Sequence, residues 1–215
     1  MKALIVGDSP DFEVEFLEKM AGGFDVVFVT DGAIHKVPAG VYVSVVCGDF
    51  DSIDMERARR ERPQVEFVSL PDQEMNDVEK ALLLAEQRGA REICFVSILG
   101  GKFDQSCANL SVMIRHHKRI QQRAYHAGTW VWIVSGSESH PGRLQFESRS
   151  GDAVSIAPMS HWAHVRAENV KWPLRHEELR AGSRGVSNEA LGGAVEIEVT
   201  EGIVVVTAAA HWSPQ

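Results

Sequence analysis

Little in this sequence offers a shortcut to function. Its 215 residues include only three cysteines, Cys47, Cys94 and Cys107, far apart and in no Cys-x-x-Cys pair. That argues against a disulfide framework and a zinc knuckle. Cys94 and Cys107, set among apolar residues, read as small core residues. Net positive charge is absent too. At a formal charge of −8 the chain gains little from neutralising a phosphate backbone, so nucleic acid is not an expected partner. No apolar run approaches the length of a membrane span. The first run, 2–6, is stopped by Gly7 and Asp8 and is too short for a signal-peptide core. The expectation is a soluble, cytoplasmic protein. Familiar site motifs are also missing. There is no G-x-x-x-x-G-K-[ST] phosphate loop, no G-x-G-x-x-G opening a helix, and no G-x-S-x-G nucleophile elbow.

What is present is a patterned, ordinary globular composition, 44% hydrophobic, with no low-complexity tract. Segments 2–6, 25–30, 43–47, 65–69 and 92–97 are short apolar runs of the kind that form strands covered on both faces. Between them lie helical periods. Residues 11–21 carry Phe12, Phe16 and Met20; 76–88 carry Val78, Leu82 and Ala85; 103–117 carry Phe103, Cys107, Leu110 and Ile114. Alternation of this kind predicts an α/β domain over 1–135, a mainly parallel sheet with helices on both faces. Residues 136–142 are turn-rich and read as a linker. Beyond them, short strands at 143–147, 153–157, 163–167, 195–199 and 203–207 predict a second domain over 143–215, a small antiparallel sandwich or barrel.

In doubly wound sheets ligands bind beyond the carboxyl ends of the strands. Reading those positions gives Asp31-Gly32, then Gly48-Asp49-Phe50-Asp51-Ser52, then a segment ending in Asp77, then Gly100-Gly101-Lys102-Phe103-Asp104. A single aspartate there is usually a turn former or helix cap, and that reading keeps weight for Asp77 and Asp104, which open helices. Several at one sheet edge would repel one another unless a divalent cation sat among them, and Mg²⁺ suits carboxylates plus substrate phosphates. In an extended segment Asp49 and Asp51 point to one side and Phe50 to the other. Gly100-Gly101 before a helix lets backbone N–H groups approach a phosphate, with Lys102 beside it. Lys80, one turn after Asp77, either reaches a phosphate or pairs with Asp77. His116-His117 reads as solvated surface histidines, Trp130 and Trp132 as strand packing, and 57–62 as a mixed, solvated helix face.

These residues resemble the thiamin pyrophosphokinase family. Gly48-Asp49-Phe50-Asp51-Ser52-Ile53 is similar to its Gly-Asp-Phe-Asp-Ser signature. The stretch from Pro71 to Ala81 resembles its second motif, and Gly100 to Gln105 with Asn109 its third. Gly151-Asp152-Ala153-Val154-Ser155-Ile156-Ala157-Pro158, Val170-Lys171-Trp172-Pro173-Leu174 and Val186-Ser187-Asn188-Glu189 resemble its C-terminal motifs. The resemblance implies an α/β catalytic domain, a β-sandwich and a homodimer with sites between subunits. It implies pyrophosphoryl transfer from ATP to the thiamin hydroxyl, giving thiamin diphosphate and AMP. By the same resemblance Asp49, Asp51 and Asp77 hold Mg²⁺ and phosphates, Asp31 supports them, and Asp104 orients groups in the site. Gln73, Trp172, Ser187 and Asn188 would face thiamin.

The chain departs from the family where Ala33 replaces glycine, Asn76 threonine, Lys102 arginine and Gln105 histidine. Lysine keeps the charge but loses the bidentate fork. These changes leave two alternatives: a related diphosphotransferase acting on another alcohol, or a non-catalytic nucleotide- or thiamin-binding homologue.

Overall fold

The computed structural model describes residues 1–51 and 53–211. Ser52, of the Gly-Asp-Phe-Asp-Ser signature, lies outside them. The chain divides between Ala127 and Gly128 into two compact units. That boundary precedes the expected linker. Residues 136–142 are instead a hairpin turn inside the second unit, bridged between Ser137 and His140.

The first unit alternates strands and helices. The strands are β1 (Lys2–Val6), β2 (Val26–Thr30), β3 (Val45–Gly48), β4 (Glu66–Ser69), β5 (Glu92–Val96) and β6 (Gln121–His126). The helices are α1 (Val14–Met20), α2 (Met55–Glu61), α3 (Asp77–Gln87) and α4 (Phe103–His116). All pairings are parallel, in the order β4-β3-β2-β1-β5-β6. Ala3, Leu4, Ile5 and Val6 are fully buried, as a strand covered on both faces requires. The chain builds outward from β1 to β4, then crosses back to β5. With right-handed crossovers, that reversal puts α1 and α2 on one face and α3 and α4 on the other. It also opens a crevice at the carboxyl ends of β1 and β5, the topological switch point.

Helix α3 buries Val78, Ala81, Leu82 and Ala85 against β1, β2 and β3. Helix α4 turns differently from the expected period. Its buried face is Asn109, Val112, Met113 and His116. Phe103 is 82% exposed, Cys107 is exposed, and Leu110 and Ile114 are only half-buried. Polar residues are buried here because they have partners. Asn109 Nδ2 donates to Ile98 O at 2.6 Å, and His116 Nε2 lies 2.9 Å from Glu79 Oε1. His116 is therefore a core residue, not a solvated one.

The second unit is all-β: β7 (Thr129–Gly136), β8 (Gly142–Ser148), β9 (Ala153–Pro158), β10 (Trp162–Glu168), β11 (Leu174–Arg180), β12 (Asn188–Glu189) and β13 (Gly193–Ala209). The strands expected at 195–199 and 203–207 are one 17-residue strand. The first half of β13 pairs with β8 and β10, its second half with β7 and β9, all antiparallel. Strand β11 extends the first sheet and β12 the second. Val165, Leu179, Val195 and Ile197 from one sheet and Val154, Ile156, Val204 and Val206 from the other share one core. This is the expected antiparallel sandwich. Trp130 and Trp132 pack as strand residues, the latter stacked on Phe146 at 5.3 Å.

Candidate active site

The carboxyl ends of the parallel strands surround a cleft of about 480 Å³. Asp8, Ser9 and Pro10 line it from the loop after β1, and Thr30 and Lys36 from β2 and its following 3₁₀ turn (Asp31–Lys36). Asp49 and Gln73 line it after β3 and β4, Asn76, Asp77 and Lys80 from the start of α3, and Gly100, Lys102, Gln105 and Asn109 after β5.

At the same strand ends, Asp31, Asp49 and Asp51 bring one oxygen each within 4.8 Å of the others, and of the three Asp49 lines the cleft. Asp31 is 2% exposed. Its Oδ1 accepts the N–H of Gly32 and its Oδ2 the N–H of Phe50, both at 2.7 Å. The second bond forms because Phe50 has φ 64°, in the left-handed region. An aromatic residue seldom adopts it, and such strain persists only where the surroundings impose it. The segment is thus a tight turn, not the extended stretch expected. Asp49 and Asp51 converge by wrapping around Phe50, whose half-buried ring lies 6.3 Å from that of Phe67.

Burial is the main force raising the Asp31 carboxyl above the usual range, with the Asp77 and Asp49 charges adding and the two N–H groups opposing. Asp49 is held below its usual range, first by the Gln73 amide and then by the N–H of Asp51, with Lys80 adding. Gln73 Nε2 donates to Asp49 Oδ2 at 3.0 Å, so Gln73 orients a carboxylate. Lys80 resolves toward pairing. Its side chain is 4% exposed, and Nζ lies 3.1 Å from Asp77 Oδ1 and 3.9 Å from Asp49 Oδ2. Asp77 is ion-paired with Lys80, and the carboxylates that come within reach of one another are Asp31, Asp49 and Asp51. Cys47, next to Gly48, is fully buried, and burial pushes its thiol up to about 12.

Gly100 and Gly101 have φ of 84° and 64° and sit against the loop after β1. A Cβ on Gly100 would lie 2.2 Å from Asp11 Oδ2, and the Gly101 N–H already donates to that carboxylate at 3.0 Å. The glycine pair serves loop packing, and the Gly101 N–H is not free for a phosphate. Lys102 and Gln105 line the cleft, but Asp104 between them does not. Its Oδ1 accepts the N–H of Gln105 at 2.9 Å. Asp8 and Lys36 were missed in sequence because no local pattern marks them.

Asn76 caps α3, with Oδ1 accepting the N–H of Glu79 at 2.9 Å, while its Nδ2 donates to Asn109 Oδ1 at 2.8 Å. Through Asn109 the start of α3 is tied to Ile98 in the loop after β5. Asn76→Ala removes the cap and leaves a buried amide oxygen unpaired. A loss of about 2 kcal/mol in urea unfolding is expected, with Asn76→Thr, which keeps a cap, losing about half of that.

In the second unit, Asn188 is buried and fully engaged. Its Oδ1 accepts the N–H groups of Trp172 and Glu189, and its Nδ2 donates to Trp172 O at 2.7 Å. It fixes the Trp172 backbone. Trp172 itself is 54% exposed, with Lys171 Nζ 4.7 Å from the ring centre. Ser187 is exposed, with φ 59° and its N–H on Ser155 Oγ.

Two family models match the sequence: the catalytic domain of thiamin pyrophosphokinase over residues 17–124 and its vitamin B1 binding domain over 143–204. The chain belongs to the thiamin pyrophosphokinase family. Members are enzymes, and their fold is the one described above. The chain is similar to the thiamine pyrophosphokinase of Bacillus subtilis, at 21% identity over 99% of this chain and 100% of the other, with a TM-score of 0.82. An Enterococcus faecalis protein of the thiamin pyrophosphokinase family is similar at 18% identity over 99% and 100%, TM-score 0.81. The thiamin pyrophosphokinase of Candida albicans is similar at 11% over 98% and 89%, TM-score 0.79. No curated protein sequence matches the chain. Among the described residues, no helix is long and apolar enough to cross a membrane.

Proposed function

We propose that this enzyme transfers a pyrophosphoryl group from ATP to the hydroxyl of thiamin, giving thiamin diphosphate and AMP, in the cytoplasm and as a homodimer. The observation that carries the reading is the Asp31–Asp49–Asp51 triad at the switch-point edge of a family catalytic domain.

The donor set fits Mg²⁺. It offers three hard oxygens in close reach, one of them buried beside other acids at an electrostatic cost that a cation would remove. Asp31, Asp49 and Asp51 would hold the ion, which when bound supplies charge neutralisation on the phosphates. The rest falls to the chain itself. Gln73 keeps Asp49 turned toward the cleft, and Asp77 keeps Lys80 at its wall. Lys80 and Lys102 meet the polyphosphate charge. Such transfer rests on positioning and electrostatics more than on covalent catalysis, and no nucleophilic side chain is required. The exposed Trp172 ring suits stacking on thiamin, with Ser187 next to the Asn188 that holds the Trp172 backbone. Phe103, an 82%-exposed aromatic at the start of α4, supports subunit pairing.

The test is turnover of purified protein with ATP, MgCl₂ and thiamin, following AMP and thiamin diphosphate. Both products should appear in equal amounts, and chelation by EDTA should stop them. AMP release only with a different alcohol would reject thiamin as the acceptor.

A further inference from the structure

Lys36 is a cleft lysine that the reading above does not use. It ends the 3₁₀ turn that Asp31 begins, so one short turn carries a triad carboxylate at one end and a cation at the other. Ala33 and Ile34 between them are buried, which fixes the turn. Its Nζ lies 2.6 Å from Asp8 Oδ1 and 3.4 Å from Asp8 O, joining the loops after β1 and β2 across the switch point. The Asp8 carboxylate packs close on Gly32, where a Cβ would come within 2.8 Å of Oδ2. The ion pair therefore sits beside the acid triad, inside the cleft lining.

We propose that Lys36 is a phosphate-binding residue held in reserve by Asp8, which it leaves for the polyphosphate when a nucleoside triphosphate enters. This rests on the proposed use of ATP. The contrast with Lys80 carries the argument. Lys80 is 4% exposed and lies near two carboxylates, so it is a fixed wall charge. Lys36 and Asp8 are 41% and 45% exposed, and Lys36 pairs with that one carboxylate, the Phe12 ring lying 5.8 Å from its Nζ. Pairs that open to water are weak and exchange partners readily. A triphosphate presents several charged oxygens where Asp8 presents one group, and a flexible ammonium can follow them. In the ligand-free protein Asp8 keeps the lysine pointed at the cleft, and the lysine charge offsets that of Asp8 beside the acids.

The test measures binding of inorganic tripolyphosphate and of ATP, each with Mg²⁺, by calorimetry. It uses wild type, Asp8→Asn, Lys36→Met and the double variant, with circular dichroism confirming folding. Lys36→Met should raise Kd about tenfold, the usual scale for losing one charged phosphate contact. Asp8→Asn should lower Kd about threefold, by removing the competing anion. The double variant should match Lys36→Met, because Asp8 acts through Lys36. Lys36→Arg should restore most of the affinity. An unchanged Kd for Lys36→Met overturns the proposal, as does an Asp8→Asn gain that persists without Lys36, which would be simple repulsion. If either occurs in a protein that still makes thiamin diphosphate, the functional reading survives; a wild type that binds neither probe sinks both.

Discussion

Replacing Asp51 by asparagine is expected to lower kcat/KM about 1,000-fold while leaving the fold intact. The reason lies in what Asp51 does and does not hold. It is exposed, and its backbone N–H donates to Asp49 Oδ1 at 3.3 Å. Asparagine keeps that N–H and the side-chain shape. It removes one of three negative charges from the triad. If the triad holds Mg²⁺, the loss weakens the ion where phosphate charge must be met, and about 4 kcal/mol of transition-state stabilisation corresponds to the 1,000-fold figure. Unfolding free energy should change by no more than about 0.5 kcal/mol, the scale of surface substitutions. Urea melts and steady-state kinetics measure the two quantities. Near-normal turnover in this variant would remove the triad from the mechanism.

Adding one methyl group at Gly48 is expected to cost both stability and activity. A Cβ there would lie 2.5 Å from Asp31 Cγ, with both carboxylate oxygens within 2.8 Å. Asp31 cannot step aside, because it is buried and each oxygen is held by a backbone N–H. Overpacking of this kind costs about 1–3 kcal/mol. Shifting the carboxylate by a fraction of an ångström should lower turnover about 100-fold. A Gly48→Ala protein with wild-type kinetics would show that Asp31 need not be held where it is. The two variants separate the roles: Asp51→Asn changes charge without packing, Gly48→Ala packing without charge.

The sequence made the parallel sheet legible because its strands are covered on both faces and read as continuous apolar runs. The aspartates were legible as a group because a doubly wound sheet brings its strand ends to one edge. Their geometry was not. Nothing in Gly-Asp-Phe-Asp announces a left-handed phenylalanine, and the extended reading gave the right convergence for the wrong reason. Helix α4 shows a second limit. Counting apolar residues selected Phe103, Cys107, Leu110 and Ile114, but the buried face includes Asn109 and His116, whose hydrogen-bond partners lie far away in sequence. Lys36 and Asp8 stand 28 residues apart and are joined only by the fold. In the second unit 195–199 and 203–207 read as two strands, whereas β13 runs through both.

That long strand has a consequence for how the protein is made. Both sheets of the sandwich depend on β13, and its partners are drawn from residues synthesised much earlier. Neither sheet can close until the ribosome has released Gly193–Ala209, so the second unit gains its structure late and in one step, through contacts distant in sequence. The first unit needs none of those residues for its parallel sheet. Folding during synthesis therefore begins with the half that carries the acid triad, and waits on a single strand for the rest.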